Sequence, residues 1–183
     1  MRKNRWNVYV ITMVAVMAAL TYVVTIFRVP LGQSKIHFAN AVCLLAGMLL
    51  GPLPGGLAAG LGSGLYDLLA GGYGFVDALI TFVSKFAMAW VCGALLARRD
   101  EVKLPRLVTS AVAGALTYVA LYMLKTFIFQ RFVYGYPPEQ VWITMLAKLW
   151  PSLLNALAAV IAAPIFYHAV KPALRRMGVL EKL

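Results

Sequence analysis

Between Ile36 and Lys85 the chain opens with IHFANAVCLLAGMLLGPLPGGLAAGLGSGLYDLLAGG, two apolar runs stitched with glycine. Their few strongly polar interruptions include His37, Asn40, Ser63, Asp67, Asp77 and Lys85. In water such a segment would aggregate; in lipid it reads as helices packed backbone to backbone through small residues. An ionisable side chain at the centre of a membrane helix costs roughly 2.5 to 3.5 kcal/mol on insertion scales. Each charge in the apolar layer therefore calls for a reason, and a buried binding site for a small polar molecule supplies one.

The rest of the chain fits the same solvent. Of its 183 residues 62% are hydrophobic and 13% charged, against about 45 to 50% apolar in ordinary soluble domains. The net charge of +11 would suggest nucleic acid in a soluble protein. Here the basic residues cluster in short segments between or beyond apolar runs, so they report membrane topology and no nucleic-acid partner is expected. Cys43 and Cys92 both lie in apolar runs, where cysteine acts as a small hydrophobe; no disulfide framework or metal site follows from them.

Six helices are expected in one membrane domain spanning residues 1–183, at approximately 7–27, 37–50, 55–70, 75–97, 107–132 and 145–170. The first run is longer than the roughly 7 to 15 apolar residues of a signal peptide, which favours a retained helix. Within it Ala15 and Ala19 form a small-xxx-small pair suited to close helix approach. The second run is near the lower limit for spanning, which implies tilt or shielding. Pro30, Gly32, Gln33 and Ser34 predict a loop, Gly51 to Gly56 a tight turn, and Tyr134 to Glu139 a turn-rich connection. Gly56, Gly60 and Gly64 predict a closely packed face on the third helix. Trp142 and Trp150 are candidate interface anchors, and Pro151 and Pro164 candidate kinks.

An even number of spans puts both termini on one side. That side then holds Arg2, Lys3, Arg5, Arg98, Arg99, Lys103, Arg106, Lys171, Arg175, Arg176 and Lys182, eleven in all. The other side holds only Arg28, Lys35 and Arg131. The excess of Lys and Arg in cytoplasmic segments makes both termini cytoplasmic.

Three helices carry polar stripes. Asp77, Thr81 and Lys85 recur every four residues; Tyr118, Tyr122 and Lys125 share a face of the fifth helix, and Lys148, Ser152 and Asn155 one of the sixth. With the chain direction set, Asp77, Lys125 and Lys148 fall in the outer half and Lys85 about 12 Å deeper than Asp77. An outward-opening cavity built from them would hold a ring-bearing polar solute, stacked on aromatic faces and oriented by polar groups. His37 and Asn40, opening the second helix from outside, join the candidate set. The bland readings are snorkelling for Lys125 and Lys148, an ion pair with Asp67 or Asp77 for Lys85, helix capping for His37, packing for the tyrosines, and an ordinary interfacial carboxylate for Asp67.

Four blocks bear a family resemblance: Ala15-Val-Met-Ala-Ala19, VPLGQSKIHFANAVCLLAGMLLGP from Val29, GGLAAGLGSGLYDLL from Gly55 and FVSKFAMAWVCG from Phe82. Together they resemble the substrate-binding S components of energy-coupling factor vitamin transporters, in the riboflavin-type branch that includes presumed pyridoxine or hydroxymethylpyrimidine carriers. The resemblance covers nearly the whole chain. It implies a bacterial plasma-membrane protein with a vitamin as cargo and no cofactor. The vitamin would be bound near the outer face under a loop that acts as a lid. The implied partners are a transmembrane coupling subunit, docked through Ala15 and Ala19, and two cytoplasmic ATPases. The chain has no GxxxxGK phosphate-cradling loop, so ATP hydrolysis belongs to the partners.

Two rivals stand against a carrier. An intramembrane enzyme needs a nucleophile or metal set, yet His37 and His168 fall at opposite ends of the fold and no HExxH motif exists, so no catalytic residue is assigned. A self-contained channel or secondary transporter might relay protons through Asp77 and Lys85, but no inverted repeat, a common transporter signature, is visible.

Overall fold

The computed structural model describes residues 7–31, 34–96 and 102–179, with the side chains of 29–37 excepted. Six α-helices account for most of it: α1 (Val8–Ile26), α2 (Ala39–Leu50), α3 (Pro52–Leu69), α4 (Phe75–Leu96), α5 (Leu104–Ile128) and α6 (Pro138–Arg176). A π-helical turn, Phe129–Val133, continues α5. Arg28–Leu31 (β1) and Ser34–His37 (β2) pair antiparallel, Arg28 opposite His37 and Leu31 opposite Ser34. The chain is an all-α multi-pass membrane protein with this one small hairpin where proline and glycine predicted a loop.

Four helices, α1, α4, α5 with its π turn, and α6, are long and apolar enough to cross a bilayer. The other two are shorter. At about 1.5 Å per residue α2 covers about 18 Å and α3 about 27 Å, against a hydrocarbon core of about 30 Å. The short α2 is tolerable because protein surrounds it: every residue from Ala39 to Met48 is buried, so its ends do not have to match the lipid thickness.

Proline and glycine explain where the helices begin and end. Proline with φ near −65° is pre-organised for the first helical turn, where its missing N–H is not needed. Thus α3 starts at Pro52, inside the segment expected to be a turn, and the turn shrinks to Gly51 with φ 81°. The same rule starts α6 at Pro138 and not near Met145. That helix continues through Pro151, Pro164 and Pro172 to Arg176. Arg175 and Arg176 lie where cations favour a helix C-terminus, and Gly178 takes the left-handed conformation just after it.

Close backbone approach holds the bundle. A β-carbon on Gly60 would stand 2.9 Å from the Phe82 carbonyl oxygen, and one on Gly56 2.9 Å from the Phe86 ring. The glycine stripe of α3 thus seats α4. Gly62, off that stripe, meets α1 even more tightly: its β-carbon would lie 2.3 Å from the Ala18 carbonyl oxygen. Ala18 therefore makes the internal contact, whereas Ala15 and Ala19 remain exposed on the outside of α1. Trp142 and Trp150 are also exposed, at 62% and 66%. Cys43 and Cys92 are free thiols buried in the apolar core.

Candidate functional site

At the end of the bundle away from the N-terminus of α1 and the C-terminus of α6, all six helices contribute to one cavity of about 440 Å³. Pockets for small molecules run from about 300 to 1,000 Å³. Thr25 and Arg28 come from the end of α1 and the start of β1, Asn40 from the start of α2, and Ser63 and Asp67 from α3. All three polar stripes point inward: Asp77, Thr81 and Lys85 of α4, Tyr118, Tyr122 and Lys125 of α5, and Lys148, Ser152 and Asn155 of α6. The four-residue spacing that places each set on one helix face is the local cause. Apolar positions between them face lipid or neighbouring helices.

The deepest charge is Lys85, only 3% exposed. Its ammonium group donates to the amide oxygen of Asn40 and sits 3.7 Å from the centre of the Tyr118 ring, whose negative face attracts a cation. Tyr118 in turn stacks on Tyr122, with centroids 6.1 Å apart. The ion pair weighed for Lys85 is absent among the described residues. The carboxylate partner goes to another lysine: Lys125 pairs with Asp77, joining α5 to α4, and lies 5.6 Å from the Phe129 ring centre. Asp67 faces the same cavity as the Thr81 hydroxyl. Arg28 stands 4.9 Å from the Tyr66 ring centre and 5.8 Å from that of Tyr73.

Neutral hydroxyls in the wall are already committed as donors. Thr25, Ser84, Thr126 and Ser152 each donate to the carbonyl four residues earlier in their own helix. That back-bonding satisfies a hydroxyl in an apolar layer and leaves only its lone pairs for a guest. Donors for a bound solute therefore come mainly from the basic side chains and the tyrosines.

Of the nine residues expected to bind substrate, Asn40, Asp77, Lys85, Tyr118, Tyr122, Lys125, Lys148 and Asn155 line this cavity. The ninth, His37, closes β2, but its side chain lies outside the described residues. Sequence reasoning left out several groups that the cavity includes. Asp67 was read as an interfacial carboxylate and Arg28 as an outer topology charge. Gln130 and Tyr134 also reach the cavity, although α-helical spacing from Lys125 turns both away. They arrive through the π turn, in which the Tyr134 N–H bonds to the Phe129 carbonyl, and such turns are frequent at functional sites. The Gln130 side-chain oxygen is buried without a hydrogen-bond partner, alone in this among the described residues.

The family model for the ECF-type riboflavin transporter S component matches residues 5–172. No individually curated protein matches the chain. With a family match over almost its whole length, and with a polar cavity enclosed by apolar helices, the chain belongs to the ECF-type riboflavin transporter S component family.

Proposed function

We propose that this protein is the high-affinity substrate-binding subunit of an energy-coupling factor importer. It captures a water-soluble, ring-bearing vitamin or precursor, of the pyridoxine, hydroxymethylpyrimidine or riboflavin class, at the outer face of a bacterial plasma membrane. The observation that carries this reading is the meeting of three polar helix faces in one 440 Å³ cavity. Tyr118 and Tyr122 supply stacking surfaces, while Asn40, Asp77, Lys85, Lys125, Lys148 and Asn155 fix the orientation of polar groups. The count of basic residues puts the termini in the cytoplasm and hence the cavity at the outer end. A transmembrane coupling subunit and two cytoplasmic ATPases complete the importer, and the exposed Ala15 and Ala19 form a small-residue face against which the coupling subunit packs.

The test is direct. Purified protein is assayed, without ATP, by thermal shift against flavin, pyridoxine, pyrimidine, folate and biotin compounds, and any copurifying small molecule is identified by mass spectrometry. A specific shift is expected, weakened by Lys125→Ala and Asn155→Ala, with uptake lost in both. If no compound shifts the protein and neither variant alters uptake, the site assignment is wrong. Uptake that persists in cells lacking the coupling ATPases would instead identify a self-contained transporter.

A further inference from the structure

We propose that the cargo carries an anionic group, a carboxylate or a phosphate monoester on its ring or side chain, seated at Lys148 beside the Lys125–Asp77 pair. This deepens the proposed carrier function and rests on it.

Charge balance is the first ground. Among the described residues, four basic side chains, Arg28, Lys85, Lys125 and Lys148, line the cavity against two carboxylates, Asp67 and Asp77. Two positive charges are thus left over in a space walled by apolar helices, where an unbalanced charge is costly. The second ground is where the excess lies. Among the described residues Asp77 is committed to Lys125, and no hydrogen bond or ion pair engages the Lys148 ammonium group. Lys148 is only partly exposed and lines the same cavity as Lys125, so two like charges face one enclosed space. An anion at this point would offset that charge and give Lys148 a charge-assisted hydrogen bond, roughly twice as strong as a neutral one. The third ground is the wall chemistry. The hydroxyls of Thr126, next to Lys125 in the chain, and of Ser152, one helical turn after Lys148, donate to their own helices and so offer a guest only lone pairs. A guest group at that point finds its donors in the ammonium groups, which bind an anion more strongly than a neutral acceptor.

Matched pairs of probes decide the matter. Calorimetry on the purified full chain compares riboflavin with riboflavin 5′-phosphate, and pyridoxine with both pyridoxine 5′-phosphate and 4-pyridoxic acid. The phosphate and carboxylate arms distinguish the two sources of negative charge. For at least one ring the acidic member is expected to bind about tenfold or more tightly than the neutral one. Lys148→Gln should collapse that ratio towards one, and Lys148→Arg should keep it. Neutral members binding as tightly as their acids, or a ratio unchanged in Lys148→Gln, would overturn the inference while leaving the carrier function standing. Failure of every probe, neutral and acidic, would overturn the inference and remove the flavin and pyridoxine classes from the carrier reading.

Discussion

Replacing Asn40 by leucine isolates the deepest polar contact of the cavity. The Lys85 ammonium group has two partners, the Asn40 oxygen and the Tyr118 ring face, and is 3% exposed. Asn40→Leu removes the acceptor and leaves a buried cation with the ring alone. A hydrogen bond to a charged group contributes about 1.5 to 3 kcal/mol, and the retained ring contact prevents a larger loss. For a chain of this size about 2 to 4 °C of melting temperature accompanies each kcal/mol, so ligand-free Asn40→Leu should melt about 3 to 12 °C lower. Removing both partners is a different matter, because an apolar pair of similar volume often replaces a buried polar pair at little cost. Asn40→Leu with Lys85→Met should therefore recover most of the loss, while cargo binding remains impaired. Thermal unfolding in detergent, with binding measured on the same preparations, checks both. A double variant as unstable as the sum of Asn40→Leu and Lys85→Met would refute the pairing; full stability together with full binding would remove Lys85 and Asn40 from the site.

Gly62→Ala would place a methyl group 2.3 Å from the Ala18 carbonyl oxygen; overpacking of this kind costs about 1 to 3 kcal/mol, and an unchanged melting temperature would contradict the α1–α3 contact. Ala15→Trp and Ala19→Trp alter an exposed face remote from the cavity, so each should abolish copurification with the coupling subunit while leaving cargo binding intact. Survival of the complex in both would remove the docking face. Asp77→Asn removes the carboxylate that holds Lys125 and adds a positive charge to the cavity, so an acidic cargo should bind about three- to tenfold more tightly by calorimetry. Weaker binding of the acid would count against an anion at this position.

Much of the candidate site was legible from spacing alone. Asp77, Thr81 and Lys85, or Lys148, Ser152 and Asn155, share a helix face wherever the helix goes, and hydrocarbon leaves polar side chains no stable direction but inward. Groups outside that logic escaped. Gln130 and Tyr134 reach the cavity through an i→i+5 turn, for which no residue type in FQRFV is diagnostic. Asp67 is indistinguishable in sequence from a carboxylate at the membrane surface. Proline rules also explain why α3 and α6 begin earlier than apolar content suggested: Pro52 and Pro138 start a helix as readily as they end one.

By itself the sequence determined the solvent, the helical class and the polar face of each helix, because these depend on composition and on the 3.6-residue repeat. Partner choice belonged to the tertiary structure. Lys85 and Lys125 sit on different helices with two aspartates to choose from, and only the packing of α2, α4 and α5 decided that Lys125 takes Asp77 while Lys85 takes Asn40 and the Tyr118 ring. Close pairing of this kind requires contact within a few ångströms between residues more than 30 positions apart, a relation that no local repeat encodes.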